Sequence, residues 1–218
     1  MRSVESFATL GLRPHTYWTA AVALAGGPRG PRVIERRRIE FAVGAERFAY
    51  HRAAEAAAAK AASVIDKARA LAQAKAAHAI GNLLAALQGA GVLVRIAVVP
   101  LGSAKLPEKL EDILGAHSRI HAAEGAFYRD VVAAACEVRG LEVRRAVERD
   151  LPALVGKLLR IDEPSLAARL KQMGAVLGPP WSEDQKLAAL AAWLHLDEAG
   201  TGPRGGRSQA LARRPRAP

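Results

Sequence analysis

Residues 10–24, Leu10-Gly11-Leu12-Arg13-Pro14-His15-Thr16-Tyr17-Trp18-Thr19-Ala20-Ala21-Val22-Ala23-Leu24, decide how this chain is read. Residues 16–24 alternate loosely and stop at Gly26-Gly27-Pro28, as a strand does when a turn closes it. Strand character resumes in Val33-Ile34-Glu35-Arg36-Arg37-Arg38-Ile39-Glu40-Phe41, so two antiparallel strands joined by a Pro/Gly turn are the economical reading. A third short strand is expected near Glu46 to Tyr50. From about His51 to Gln88 there is no proline and alanine dominates, with Val64, Ile65, Leu71, Ile80, Leu83, Leu84 and Leu87 near helical spacing. That pattern predicts one long helix, relaxed at Gly81.

Beyond Gly89-Ala90-Gly91, the run Val92-Leu93-Val94-Arg95-Ile96-Ala97-Val98-Val99 is almost wholly apolar, as a strand buried on both faces would be. Pro100 and Pro107 bracket a loop. A second helix is expected from Leu110 or Ala116 to Arg139, stopped by Gly140, with the apolar stripe Ile120, Phe127, Val131, Ala134 and Val138 turned to the core. Leu141 to Glu148 reads as a strand, 154–160 and 165–177 as helical pieces, and 182–196 as a last helix. The order β-β-(β)-α-β-α-β-α predicts an α/β protein: a mixed sheet with helices on both faces, in one domain over 8–198. Residues 199–218, rich in Gly, Pro and Arg, are expected to form a disordered basic tail.

At 218 residues the chain is long enough for one substantial core. Lys and Arg number 32 against 21 Asp and Glu, a net charge of +11, and five of those positive charges are arginines between Thr201 and Pro218. Such a balance attracts polyanions, nucleic acid first. The Ala, Gly, Pro and Arg content also resembles that of GC-rich coding, which enriches Arg over Lys whatever the ligand. Cys136 is the single cysteine, so no intrachain disulfide or cysteine-based zinc site can form, and its apolar neighbours predict a buried, inert thiol. The N-terminus lacks the apolar run of a secretory signal, and no stretch approaches the length of a membrane span, so a cytoplasmic protein with no membrane contact is expected.

Two segments carry a resemblance. Leu10-Gly11-Leu12-Arg13-Pro14-His15, with Thr19 shortly after, is similar to the Leu-Gly-Ile-Asp-Pro-Gly strand that opens Holliday-junction resolvases of the RuvC type, within the ribonuclease H-like superfamily. Asp184-Gln185-Lys186-Leu187-Ala188-Ala189-Leu190-Ala191-Ala192-Trp193-Leu194-His195 resembles the aspartate-led helix that ends that fold. The likeness covers about residues 8–197 in order. It implies a ribonuclease H-like sheet and a two-Mg²⁺ site held by clustered carboxylates.

The departures from that pattern carry as much meaning as the matches. Arg13 stands at the first carboxylate slot, the fourth strand offers Arg95, Ile96, Ala97 and Val98 with no acid, and Leu187 stands where the second aspartate of the last helix would fall, leaving Asp184 one turn earlier. A guanidinium about 4 Å from a divalent metal repels it by several kcal/mol even at an effective dielectric near 20. The resemblance thus implies a pseudoenzyme that needs no cofactor. Arg13 either binds phosphate directly, as bidentate arginines do, or caps the strand or pairs with Asp184 across a dead site. With Arg13, the candidate nucleic-acid contacts are His15, Arg36 and Arg38. A run of charge on an edge strand also keeps that edge soluble.

A second constellation lies on the helix after Pro107. His117, His121, Glu124 and Tyr128 recur at i, i+4, i+7 and i+11 and so share a stripe beside the core positions. Two histidines one turn apart, followed by a carboxylate, can ligate Zn²⁺ or Mn²⁺, and Asp184 or His15 from another element would complete the shell. On that reading Glu124 and Asp184 are the candidate catalytic carboxylates of a nuclease with relocated Mg²⁺, Mn²⁺ or Zn²⁺ ligands. On another, the His117–Tyr128 face docks a second copy or a protein partner. Asp184 also has a local role, since Ser182-Glu183-Asp184-Gln185 fits a capping box whose acids complement the helix dipole. Gly26-Gly27-Pro28-Arg29-Gly30 lacks the acid and hydroxyl of an ATPase phosphate loop, and no serine-hydrolase, Walker or dinucleotide motif occurs.

Overall fold

The structure, a computed structural model, describes residues 6–41 and 47–200. Three strands come first: β1 (Ser6–His15), β2 (Trp18–Ala25) and β3 (Arg32–Glu40). They are followed by α1 (Ala49–Glu55), α2 (Ala58–Gly89), β4 (Val92–Val98), α3 (Leu110–Leu114), α4 (His117–Val138) and β5 (Glu142–Arg144). Then come α5 (Leu151–Leu159), α6 (Glu163–Leu177) and α7 (Glu183–Leu194). The sheet order is β3-β2-β1-β4-β5, antiparallel from β3 to β1 and parallel from β1 to β5.

The expected mixed sheet is present, and its third early strand is placed differently from the sequence reading. Residues 10–24 are not one continuous segment but the two arms of a hairpin, with His15 opposite Trp18 and Tyr17 at φ 66° in the turn. No strand forms over 47–50, and Glu46 lies outside the described residues. Instead Ala49 and Tyr50 start α1. The Glu124 carboxylate on α4 accepts from the backbone N–H of Tyr50 at 2.7 Å and of His51 at 3.3 Å, so a distant side chain caps the helix that its own sequence leaves uncapped. The predicted long helix breaks at Ala56-Ala57, where Ala56 is extended. It runs unbroken through Gly81, whose missing Cβ leaves room for Arg139. That side chain would lie 2.8 Å from a Cβ there, and its Nε–H donates to the Ala77 carbonyl.

Strand alternation sorts the site residues. Ala8, Leu10 and Leu12 of β1, with Ala21 and Ala23 of β2, face the core built with α2 and α4, which includes Ile80, Leu83, Phe127 and Val131. Ala20, Val22 and Leu24, with Ile96 and Val98 of β4, face α5, α6 and α7. Period-2 geometry then puts Gly11, Arg13 and His15 on the α7 side. Ala188, Ala189, Ala191, Ala192 and Trp193 are all buried, so α7 is covered all round, and its alanines let it lie directly on β1. The Trp193 indole N–H donates to Pro28 O at 2.8 Å, tying α7 to the β2–β3 turn. Val138, expected in the core, is 76% exposed, because the last turn of α4 turns Ala135 and Cys136 to the core and Val138 outward. Cys136 is buried as expected, and loss of solvent pushes its thiol up to about 12.

A Cβ at Gly11 would fall 1.8 Å from the Ala188 carbonyl oxygen, so even a methyl group must move α7. Gly11→Ala is expected to destabilise by about 3 kcal/mol, the upper part of the overpacking range, in urea unfolding. Gly27→Ala, with no neighbour near its Cβ, stays within about 0.5 kcal/mol of the parent.

Candidate functional site

At the C-terminal ends of the parallel strands, where open α/β sheets place their ligand sites, three elements bring charged groups together. Arg13 comes from the end of β1, Asp184 from the first turn of α7, and Glu148 from the turn that follows the Leu101–Val147 bridge. The Arg13 guanidinium donates Nη1–H to Asp184 Oδ1 and Nη2–H to Glu148 Oε1, the latter at 3.0 Å. His15 Nε2–H donates to the same Asp184 oxygen at 2.8 Å. Glu148 Oε2 faces Arg129 of α4 at 3.6 Å. Only a fifth of the Arg13 and Glu148 side chains remains exposed, so these charges interact behind partial cover. Two arginines thus balance two carboxylates.

The same set governs the acidity of its members. Partial burial raises Asp184, but the hydrogen bonds and charges of His15 and Arg13 outweigh it and hold the carboxyl below its usual range. Burial alone would lower Arg13, and its bonds to Glu148 and Asp184 raise it instead. Beside the cluster opens a cavity of about 380 Å³ lined by Gly102, Ser103, Arg129, Glu148, Arg149 and Glu183. The Nε–H groups of Arg13 and Arg129 and the Oε2 atom of Glu148 are buried without a hydrogen-bond partner among the described residues.

The cluster extends outward along the hairpin. His15 stacks on Trp18 with ring centroids 4.1 Å apart, and the Arg38 guanidinium lies 3.7 Å over the Trp18 ring while pairing with Glu40 at 3.0 Å. Arg36 donates to the carbonyls of Gly178, Pro179 and Pro180, clamping the segment that leads into α7. Arg13, His15, Arg36 and Arg38 therefore all have intramolecular partners, and β3, which carries the last two, is the edge strand expected for its charge. The capping box is present as read, with Ser182 N–H donating to Gln185 Oε1 at 2.9 Å.

The histidine stripe lies behind the sheet, on the α4 side, and Asp184 and His15 do not join it. Their place is taken by His51 of α1. His117 and His121 bring their Nε2 atoms to 2.9 Å, and the His51 ring sits 5.5 Å and 4.9 Å from theirs, centroid to centroid. Glu124 is buried beneath, its Oε1 3.4 Å from His51 Nδ1. Burial raises Glu124 above the ordinary carboxylate range, and the N–H groups of Tyr50 and His51 only partly offset that. Tyr128, read as part of a docking face, is fully buried and donates its hydroxyl to the Arg47 carbonyl at 2.8 Å, so its ring is core rather than interface.

Of the predicted set, Arg13, His15 and Asp184 converge, and His117 and His121 meet each other, but Glu124 turns to His51 and the α1 backbone and is not in the histidine group, and the two clusters are separate. Glu148, Arg129 and His51 escaped sequence reading. Glu148 lies beyond the short β5, in the turn that follows it, and not at the end of a strand. His51 sits in an alanine-rich helix with no local pattern around it, and only tertiary packing brings it to α4.

No protein-family model matches the chain, and no curated protein does. Solved structures do. The chain is similar to the Thermus thermophilus RuvC structure, with a TM-score of 0.50 and 10% identity over 86% of this chain and 92% of that one. It is similar also to T. thermophilus RuvC in complex with Holliday junction substrate, with a TM-score of 0.50 and 12% identity over 88% and 94%. No helix among the described residues is long and apolar enough to cross a membrane. At such low identity the likeness speaks for the fold, which is the ribonuclease H-like α/β architecture in its RuvC arrangement.

Proposed function

We propose that this domain docks nucleic acid at the strand-end cleft without cutting it. The observation that supports this most is the Arg13 guanidinium bonded to both Asp184 and Glu148. In a two-metal nuclease, acids at such a position neutralise divalent ions. Here a fixed cation does that work, leaving little negative potential to recruit a second one. The adjoining cavity offers phosphate oxygens the Arg129 and Arg149 side chains beside Gly102 and Ser103, with Glu148 and Glu183 on the same lining, so that a phosphate would compete with these carboxylates for the guanidinium groups. The net charge of +11 and the five arginines of 201–218, which lie outside the described residues, add non-specific attraction. One of the similar RuvC structures is a complex with Holliday junction substrate, which makes branched DNA the first ligand to try. On this reading Arg13 organises the cleft and the neighbouring arginines meet the phosphates.

Fluorescence anisotropy with branched DNA, linear DNA and single-stranded RNA over a salt series tests the binding. Affinity is expected to fall linearly in log–log form. Arg129→Ala or Arg149→Ala should each reduce the slope by about one, and deletion of 201–218 should reduce it further. Undetectable or salt-independent binding overturns the proposal. So does Mg²⁺- or Mn²⁺-dependent cleavage that Asp184→Asn abolishes.

The ion cluster also predicts a stability signature. Arg13→Ala removes one hydrogen-bond donor from each of two partly buried carboxylates, leaving Asp184 to His15 and Glu148 to Arg129, and should cost about 2 kcal/mol near neutrality. Because the folded state holds Asp184 below its ordinary value of 3.8, its contribution is full above that pH and is lost as the pH falls further. Urea midpoints measured between pH 6 and pH 2.5 should therefore show a steeper acid loss in the parent than in Asp184→Asn.

A further inference from the structure

We propose that His51, His117 and His121 form a binding site for a divalent transition-metal ion of the zinc class, which would pin α1 to the start of α4. The three side chains each offer a ring nitrogen, and these atoms all lie within 4.8 Å of one another. In a tetrahedral zinc site with bonds of about 2.0–2.1 Å, ligand nitrogens stand about 3.3 Å apart. The His117–His121 pair, at 2.9 Å, is already near that spacing. It needs only small ring rotations, as the i, i+4 register on one helix face provides. His51 approaches from a different element, so the set is assembled by the fold and not by local sequence. His117 and His121 are exposed and His51 half-buried, which gives an ion a path in and leaves a fourth position to water.

The group beneath the histidines is what distinguishes this cluster from a surface accident. Glu124 is 3% exposed, and its Oε1 faces His51 Nδ1, leaving His51 Nε2 free to turn toward the other two rings. A carboxylate behind the distal nitrogen of a ligating histidine fixes its tautomer and raises its basicity. The second oxygen, Oε2, is buried with no hydrogen-bond partner among the described residues. A buried, half-satisfied carboxylate is costly by itself, and a cation bound just above offsets that cost. The Glu124 carboxylate also offsets the partial positive charge of the α4 N-terminus, which by itself disfavours a cation. All-nitrogen ligation selects zinc, copper, nickel or cobalt over magnesium and calcium, which prefer oxygen. The site lies across the sheet from Arg13 and is independent of the nucleic-acid proposal.

The test uses the full-length chain after chelator stripping, with Zn²⁺ affinity measured by competition against a chromophoric chelator and Co²⁺ substitution followed by visible absorption. One equivalent of Zn²⁺ is expected to bind in the micromolar range or tighter and to raise Tm in a concentration-dependent way, while Mg²⁺ does neither. His51→Ala, His117→Ala and His121→Ala should each weaken binding at least tenfold, and Glu124→Gln by about ten- to a hundredfold. His78→Ala, which removes an exposed histidine of α2, should leave it unchanged. His121→Ala removes an exposed side chain and keeps the test valid should His51→Ala fail to fold. No saturable binding in the micromolar range, or the parent's affinity in the His121→Ala protein, overturns the assignment.

Discussion

The contact of α7 with Gly11 governs the arrangement of the strand-end cleft. A helix can lie on a central strand this closely only where the strand lacks a Cβ and the helix presents alanines, and both conditions meet at Gly11 and Ala188. From that seat the first turn of α7 projects over the end of β1, so Asp184 arrives beside Arg13 and His15. The β5 turn delivers Glu148 from the other side. The charges then settle their own positions. Each carboxylate finds a guanidinium, and Trp18 packs between His15 and Arg38 of the edge strand as an apolar bracket.

Alternation along β1 divides the molecule's chemistry in two. Odd-numbered positions from Thr9 look toward α7 and carry the ion cluster, while Ala8, Leu10 and Leu12 look toward α2 and α4 and are wholly apolar. The histidines and Glu124 sit beyond this second layer, so no single cleft combines them with Asp184. This is why the histidines of α4 meet His51 of α1 and not Asp184 or His15. Glu124 serves α1 twice over, accepting from the backbone at its first turn and standing behind His51. A carboxylate drawn that far into the core holds two elements together at the expense of an unsatisfied oxygen.

The succession of helix and strand from β4 onward, the stop at Gly140, the capping box at Ser182 and the burial of Cys136 are legible along the chain, because each follows from the spacing of nearby residues, whereas the third early strand is β1 and not the segment before His51. The pairing of Arg13 with Asp184 was open to the same reading only as one of several roles for that arginine. Failures cluster where a distant group overrides local preference. Tyr50 starts a helix because Glu124 caps it, Gly81 makes space for Arg139 rather than a hinge, and Tyr128 packs its ring in the core against Phe41 and Phe127 while its hydroxyl donates to the Arg47 carbonyl.

By itself, then, the amino-acid order determined a mixed sheet covered on both faces, since strand and helix periodicities and their succession are local properties. Only the tertiary structure decided which charges neutralise one another and which histidines gather. Those outcomes depend on distances between Arg13, Glu148 and Asp184, or between His51 and His117, that no spacing along the chain encodes. Packing of α7 on β1 and of α1 on α4 sets them.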